Sequence, residues 1–305
     1  MKYIKFFILF GLLASFSANA LLEVNIIKSK EDSFPIVIAP FEMIGKFQED
    51  VDLAKIIREN LNRSGQFDAK STNQLTNGPI DFDFYLKHKK DAIVFGKIRQ
   101  ISSNVNHAEI YIYDVLTQKS LYVNKIAFTN GALRKTAHAL SDVIYYALLG
   151  QKGSFNTKLS FVTVNEEKNG KRKYRLVISD WDGKNQQVII GSDDPILSPA
   201  WSADQRKIAY VSFKNNRSDV FVKYVFQNTN PIKLPKFDGI ASSPSWHPDG
   251  KSLALTLSKD GNKDIYLYNF DSKKLKRLTT NIAIDTEANF SPDGKSIAFT
   301  SNRTG

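Results

Sequence analysis

The sequence predicts an α+β, multi-domain protein in which a small amino-terminal α/β domain precedes a β-propeller. Three observations predict it. Up to about residue 150, apolar runs of strand length alternate with stretches that are apolar at helical spacing. From Leu159 onward, short strands and turn signals take over. Within that second half a unit recurs, with Trp201, Trp246 and Phe290 at intervals of 45 and 44 residues. That period is the size of one four-stranded propeller blade, roughly 40 to 50 residues. A chain of 305 residues, 42% hydrophobic and 12% aromatic, suits about two packed domains rather than a disordered chain.

The first element is a leader. Residues 1–20 place Lys2 and Lys5 before an apolar run from Phe6 to Phe16 and then Ala18-Asn19-Ala20, the order of a secretory signal peptide, with cleavage expected after Ala20. The run is shorter than the roughly 20 residues of a membrane span. The chain has no cysteine, which excludes a lipid-bearing cysteine, disulfides, thiol nucleophiles and Cys-ligated metals. A soluble, exported mature protein is expected.

The α/β domain, residues 21–150, opens on Phe34-Pro35-Ile36-Val37-Ile38-Ala39-Pro40-Phe41, a short apolar run read as a buried strand. Asp50 or Asp52 can cap a helix that runs to about Arg63. It carries Val51, Leu53, Ile56, Ile57 and Leu61 on one side, with Gly65 as its stop. Residues 92–96 form another buried strand. Residues 110–115 and 121–128 alternate as hairpin strands do. A helix follows from Ala132 to Leu149, with Leu133, Ala137, Leu140, Ile144 and Leu148 at helical spacing and Gly150 at its end.

The propeller, residues 151–305, is carried by the repeats Ser198-Pro199-Ala200-Trp201-Ser202-Ala203-Asp204-Gln205, Ser243-Pro244-Ser245-Trp246-His247-Pro248-Asp249-Gly250 and Glu287-Ala288-Asn289-Phe290-Ser291-Pro292-Asp293-Gly294. In Pro-Asp-Gly, proline presets φ, Asp accepts backbone hydrogen bonds, and Gly takes the positive φ that closes a hairpin. The first repeat departs from this, with Ala203 and Gln205 in place of Pro and Gly. Residues 219–225 and 264–270 supply third strands, residues 275–278 begin a fourth, and an earlier unit without the aromatic runs through 159–164 and 174–179. About three blades are expected where a closed ring takes about four to eight, so a truncated product or fragment is expected.

Charge sits unevenly. Residues 21–150 carry 16 basic and 15 acidic side chains, while residues 151–305 carry 24 and 16. The cations are mostly scattered singly, and no aromatic-interleaved basic helix appears, so a solvated surface rather than a nucleic-acid interface is expected.

The search for catalysis is negative. The chain has no Gly-x-Ser-x-Gly elbow, P-loop, dinucleotide glycine pattern or His-Glu-x-x-His. His88, His107, His138 and His247 are too scattered for a metal cluster. His138, Ser141 and Asp142 share one helix without a carboxylate on the far side of the imidazole, and are read as packed or capping groups. Asp180-Trp181-Asp182-Gly183 resembles part of a calcium loop but lacks the further acidic ligands, and reads as a strand-end turn. No catalytic, cofactor or metal residue is assigned.

Several motifs in series carry a resemblance: the leader, the helix with Ala137-His138-x-x-Ser141-Asp142-x-Ile144, the linker Gly150-x-Lys152-Gly153-x-Phe155-x-Thr157, then Ser179-Asp180-x-Asp182-Gly183 and blades with Ser-Pro-x-Trp. In that order they resemble the TolB family of the Tol–Pal envelope system. The resemblance implies an amino-terminal α/β domain on a six-bladed propeller, acting without catalysis in the periplasm. It implies binding of the lipoprotein Pal by loops on one propeller face, and binding of the inner-membrane protein TolA by the mature amino terminus, in support of outer-membrane invagination during division and envelope integrity. The Pal-binding candidates are the loops entering each blade: Leu197, Ser198 and Pro199; Ser243 and Pro244; Thr286 and Glu287. Ile240 and Ala241 stand where the family pattern has polar residues. The TolA candidates lie in residues 21–33, at Leu22, Glu23, Val24 and Ile26. Two other readings compete: an exported propeller-containing peptidase fragment without its hydrolase domain, and a basic scaffold binding anionic glycan or lipid through the second half.

Overall fold

The computed structural model describes residues 33–47, 50–72, 79–214 and 217–304. The leader residues Ala18 and Ala20 and the TolA candidates Leu22, Glu23, Val24 and Ile26 lie outside the described residues.

Strand β1 (Phe34–Ile38) runs in the middle of the first sheet, parallel to β3 (Phe67–Ser71) on one side and β4 (Ala92–Gln100) on the other. The short β2 (Glu42–Ile44) continues along β4 beyond the end of β1. The antiparallel strands β5 (Asn106–Asp114) and β6 (Ser120–Phe128) complete the order β3-β1-β4-β5-β6. Helix α1 (Leu53–Arg63) is capped by Asp52, whose Oδ1 accepts from the Lys55 amide at 2.9 Å, and beyond Ser64 the chain turns at Gly65 with φ +71°. Helix α2 is Phe82–Lys87, and α3 (Leu133–Leu149) ends on Gly150 in the left-handed conformation.

The apolar faces of α1 and α3 meet one face of this sheet. Ile57, Leu61, Leu140 and Ile144 interlock with Ile36, Ile38, Val94 and Ile110. Alternation along the strands puts Val37 and Ile93 on the other face, where they pack with Tyr85 of α2. Burial of this size, at roughly 25 cal/mol per Å² of apolar surface, is what holds the domain together. Helix α2, six residues long, and β3, five residues long, are too short to show a period in the sequence.

From residue 158 on, the described residues build four antiparallel sheets. They comprise β7 (Lys158–Glu166), β8 (Arg172–Asp180) and β9 (Gln187–Ser192); β10 (Ile196–Trp201), β11 (Lys207–Lys214), β12 (Arg217–Tyr224) and β13 (Ile232–Lys233); β14 (Ala241–Trp246), β15 (Ser252–Leu257), β16 (Asp264–Asn269) and β17 (Leu275–Arg277); and β18 (Asp285–Phe290) with β19 (Ile297–Ser301). The 45-residue period is one sheet long, as the sequence predicts. Aromatics at the ends of the first strands join neighbouring sheets. The Trp246 indole donates to the Ala200 carbonyl of the preceding sheet at 3.1 Å, the Lys207 ammonium sits over its ring, and His247 packs edge-on against Phe290 at 4.8 Å.

Each repeated turn is closed at a residue with positive φ: Gly250 at +68°, Gly294 at +71° and, in the first repeat, Gln205 at +56°. A side chain in that conformation is strained where glycine is not. Gln205→Gly is therefore expected to stabilise the protein by about 0.5–1 kcal/mol, raising the calorimetric Tm by about 1–3 °C.

Candidate functional site

The first strands β10, β14 and β18 pack side by side, and between them opens a concavity of about 520 Å³. It is lined by Ser198, Pro199, Ser243, Pro244 and Glu287, together with the aromatic ends of the strands and the turn residues Ala203, Pro248 and Pro292. All three strands carry the same irregularity. Pairing with the neighbouring strand shifts between Leu197 and Ala200, between Ser242 and Ser245, and between Thr286 and Asn289. At each shift one non-glycine residue takes a left-handed backbone: Ser198 at φ +50°, Ser243 at +48° and Glu287 at +57°.

Such a bulge leaves a residue out of the ladder and re-aims it, and a non-glycine residue held there stores about 1–3 kcal/mol of strain. The three bulges present displaced backbone and the polar side chains of Ser198, Ser243 and Glu287 around one concave surface. Neighbouring sheets hold the bulges in place. The Ser218 hydroxyl accepts from the Ala241 amide at 2.7 Å, and the Thr256 hydroxyl from the Glu287 amide at 3.3 Å.

This placement corrects one expectation. The seven Pal-binding candidates were expected in loops entering the blades, but they lie within the first strands, at the bulges. A Ser-Pro pair reads as a turn in sequence, and here it marks a bulge inside a strand. Five of the seven line the concavity; Leu197 and Thr286 do not. Leu197 is 48% exposed on its strand, and Thr286 lies across from Thr300.

A second polar constellation sits between the α/β domain and the first propeller sheet. Asp180 at the end of β8 and Asp182 in the turn that follows receive Arg134 of α3. Lys158 of β7 also donates to Asp180, at 2.5 Å, and Asn185 does so at 2.7 Å. Desolvation pushes both carboxyls up, and the bonds from Lys158 and Arg134 to Asp180, and from Arg134 to Asp182, outweigh it and hold both below the ordinary range. Guanidinium and ammonium groups thus take places around these carboxylates, and the turn ties the first propeller sheet to α3. Trp181 packs on Phe155 and under Arg63, and its indole donates to Oδ1 of Asn60 in α1 at 3.1 Å. Asn60 and Arg134 escape the sequence reading. Asn60 is a polar residue on the apolar face of α1, between Ile57 and Leu61, and that is the signal that could have found it.

His138, Ser141 and Asp142 belong to this boundary and do not form a triad. Ser141 donates to its own helix, at the Ala137 carbonyl, and Asn60 donates to both Ser141 and His138. Asp142 faces the other way and accepts from the amides of Phe155 and Asn156 at 2.7 and 3.2 Å, pinning the linker. Gly153 lies so close that an added Cβ would overlap Asp142 Oδ1 and sit 2.9 Å from its Cα. Gly153→Ala is expected to destabilise by about 1–3 kcal/mol through this overlap, read as a lower denaturation midpoint.

Burial first, and then Arg134, lower the affinity of the His138 imidazole for a proton. As pH falls, the unfolded chain takes the proton before the folded one. The stability that neutral His138 contributes is whole above the ordinary value of about 6.5 and is lost as pH falls through the lower folded value. The Tm is expected to drop between pH 7 and 5, and that component is expected to vanish in His138→Asn.

Among the described residues no helix is long and apolar enough to cross a membrane. Sequence profiles match twice: the TolB amino-terminal domain at residues 22–121 and the TolB beta propeller domain at residues 145–305. The chain is 53% identical over 264 residues to the Tol-Pal system protein TolB of Ruthia magnifica, covering 87% of this chain and 62% of that one. It is 37% identical over 251 residues to the protein of that name from Alcanivorax borkumensis, covering 80% and 57%. The crystal structure of TolB from Acinetobacter baumannii superposes with a TM-score of 0.78 at 35% identity, covering 90% of this chain and 67% of that one. The chain spans about three fifths of the length of the curated relatives it matches.

Proposed function

Because this chain belongs to the TolB family, we propose that it serves as a non-enzymatic component of the Tol–Pal system in the periplasm. In this reading it holds the lipoprotein Pal in the concavity between β10, β14 and β18, and it engages TolA through residues 21–33. Its contribution is to outer-membrane invagination at division and to envelope integrity. The observation that supports the Pal assignment is the triple bulge: Ser198, Ser243 and Glu287 share one left-handed conformation and line one concave surface. A ring of displaced polar groups on stiff strands suits recognition of a folded protein domain, with the strain held in the free protein and the contact made without reordering.

Co-isolation from envelope extract tests the proposal. Residues 21–305 are expected to capture Pal and TolA, and removal of residues 21–33 is expected to lose TolA while Pal is retained. Loss of both on that deletion, or capture of neither by the intact chain, contradicts the assignment.

A further inference from the structure

His138 joins the two parts of the molecule through a chain of hydrogen bonds whose polarity is fixed at both ends. At one end the Trp181 indole N–H donates to Asn60 Oδ1, which orients the amide. The amide nitrogen then faces His138 Nδ1 at 2.9 Å and Ser141 Oγ at 2.8 Å, and the Ser141 hydrogen is already given to the Ala137 carbonyl. Nδ1 is therefore the acceptor, and the ring proton sits on Nε2. That atom is buried without a hydrogen-bond partner, 3.8 Å from Asp180 Oδ2. The charged groups around the ring are Arg134 on α3, Lys158 on β7, Asp180 at the end of β8 and Asp182 just after it. From α1 the ring meets the neutral Asn60, while Arg63 lies against Trp181 and Glu59 pairs with Lys184.

A second proton has one place to go, Nδ1, where it meets the two hydrogens of the Asn60 amide. Turning the amide over relieves that clash, because Oδ1 then accepts from the imidazolium. The same turn points the amide hydrogens at the Trp181 indole N–H, donor against donor. The bond given up is the one through which this hydrogen-bond chain crosses from the α/β domain to the propeller, beside the ion pairs of Arg134.

We propose that this boundary is a proton-sensitive latch, in which protonation of His138 turns the Asn60 amide and releases Trp181. The device is independent of the Pal and TolA assignments. The ion pairs of Arg134 with Asp180 and Asp182 and of Lys158 with Asp180 keep the boundary docked through the change, so the response is a local release around Trp181 rather than separation of the domains.

Nuclear magnetic resonance of the three indole N–H groups, with Trp181 identified through Trp181→Phe, tests the latch. Between pH 7.5 and 5, exchange of the Trp181 indole hydrogen is expected to accelerate about tenfold relative to that of Trp246, the loss of about one hydrogen bond. The midpoint is expected to coincide with titration of the His138 ring protons. His138→Asn keeps an acceptor in place of Nδ1 and is expected to remove the response. Asn60→Asp supplies a carboxylate that accepts from both the imidazolium and the indole. In that variant the His138 midpoint is expected to rise above the ordinary value of about 6.5 and Trp181 to stay protected. Trp181 exchange that ignores the His138 titration in the wild type, or a response that persists in His138→Asn, overturns the latch.

Discussion

Asp180→Ala is expected to cost about 3 kcal/mol of stability, the largest single loss at the domain boundary. Asp180 is 6% exposed and gathers Arg134, Lys158 and Asn185 around one carboxylate. Removing one member of a buried ionic group leaves the others desolvated and unpaired, which costs about 3–5 kcal/mol. Arg134 keeps Asp182 as a partner, which places the expectation at the lower end. Asp180→Asn retains the shape and the bond to Asn185 and is expected to cost less. Urea denaturation followed through Trp181 fluorescence checks both variants. Equal losses for Ala and Asn would show that the charge rather than the packing of Asp180 governs the boundary.

Glu287→Lys is expected to weaken Pal capture at least tenfold, about 1.4 kcal/mol, with an unchanged Tm. Glu287 lies at the third bulge on the rim of the concavity, exposed, with its amide held by Thr256. Its side chain has one long contact, to the Thr300 hydroxyl at 3.4 Å, so the fold loses little by its reversal. A cation there disturbs the charge match across the interface, which acts on association as well as affinity. Leu197→Ala is the useful contrast. It sits on a first strand but outside the concavity, and is expected to change capture less than threefold, under about 0.7 kcal/mol. Titration calorimetry with purified Pal reads both.

The repeat was legible because Trp201, Trp246 and Phe290 end the first strands of three successive sheets, where they pack against the neighbouring sheet, and that packing fixes their spacing. Helix α1 was legible because Asp52 caps it, Ile56, Ile57 and Leu61 face the core, and Gly65 turns the chain after it. The bulges were not. Ser198 and Ser243 precede prolines, and only the shifted register of the neighbouring strands shows that the displacement falls inside a strand. Glu287 precedes Ala288 instead of proline, so its membership of the set rests on backbone geometry alone. The domain boundary was half visible. His138, Ser141 and Asp142 drew notice by their spacing on α3, but Asn60, the partner of His138 and Ser141, and Trp181, which bonds Asn60 in turn, come from distant parts of the chain and are brought together only by folding. Arg134 reads on its own as a solvated helix residue, and its two aspartates lie more than forty residues away.

Hydrogen exchange of the chain with and without Pal, read by mass spectrometry, tests whether Pal sits on the bulged strands. New protection is expected to be confined to residues 196–201, 241–246 and 285–290, the three bulged strands, with the outer strands β13 and β17 unchanged. Protection concentrated on the outer strands or on the α/β domain, or no protection at saturating Pal, would contradict it.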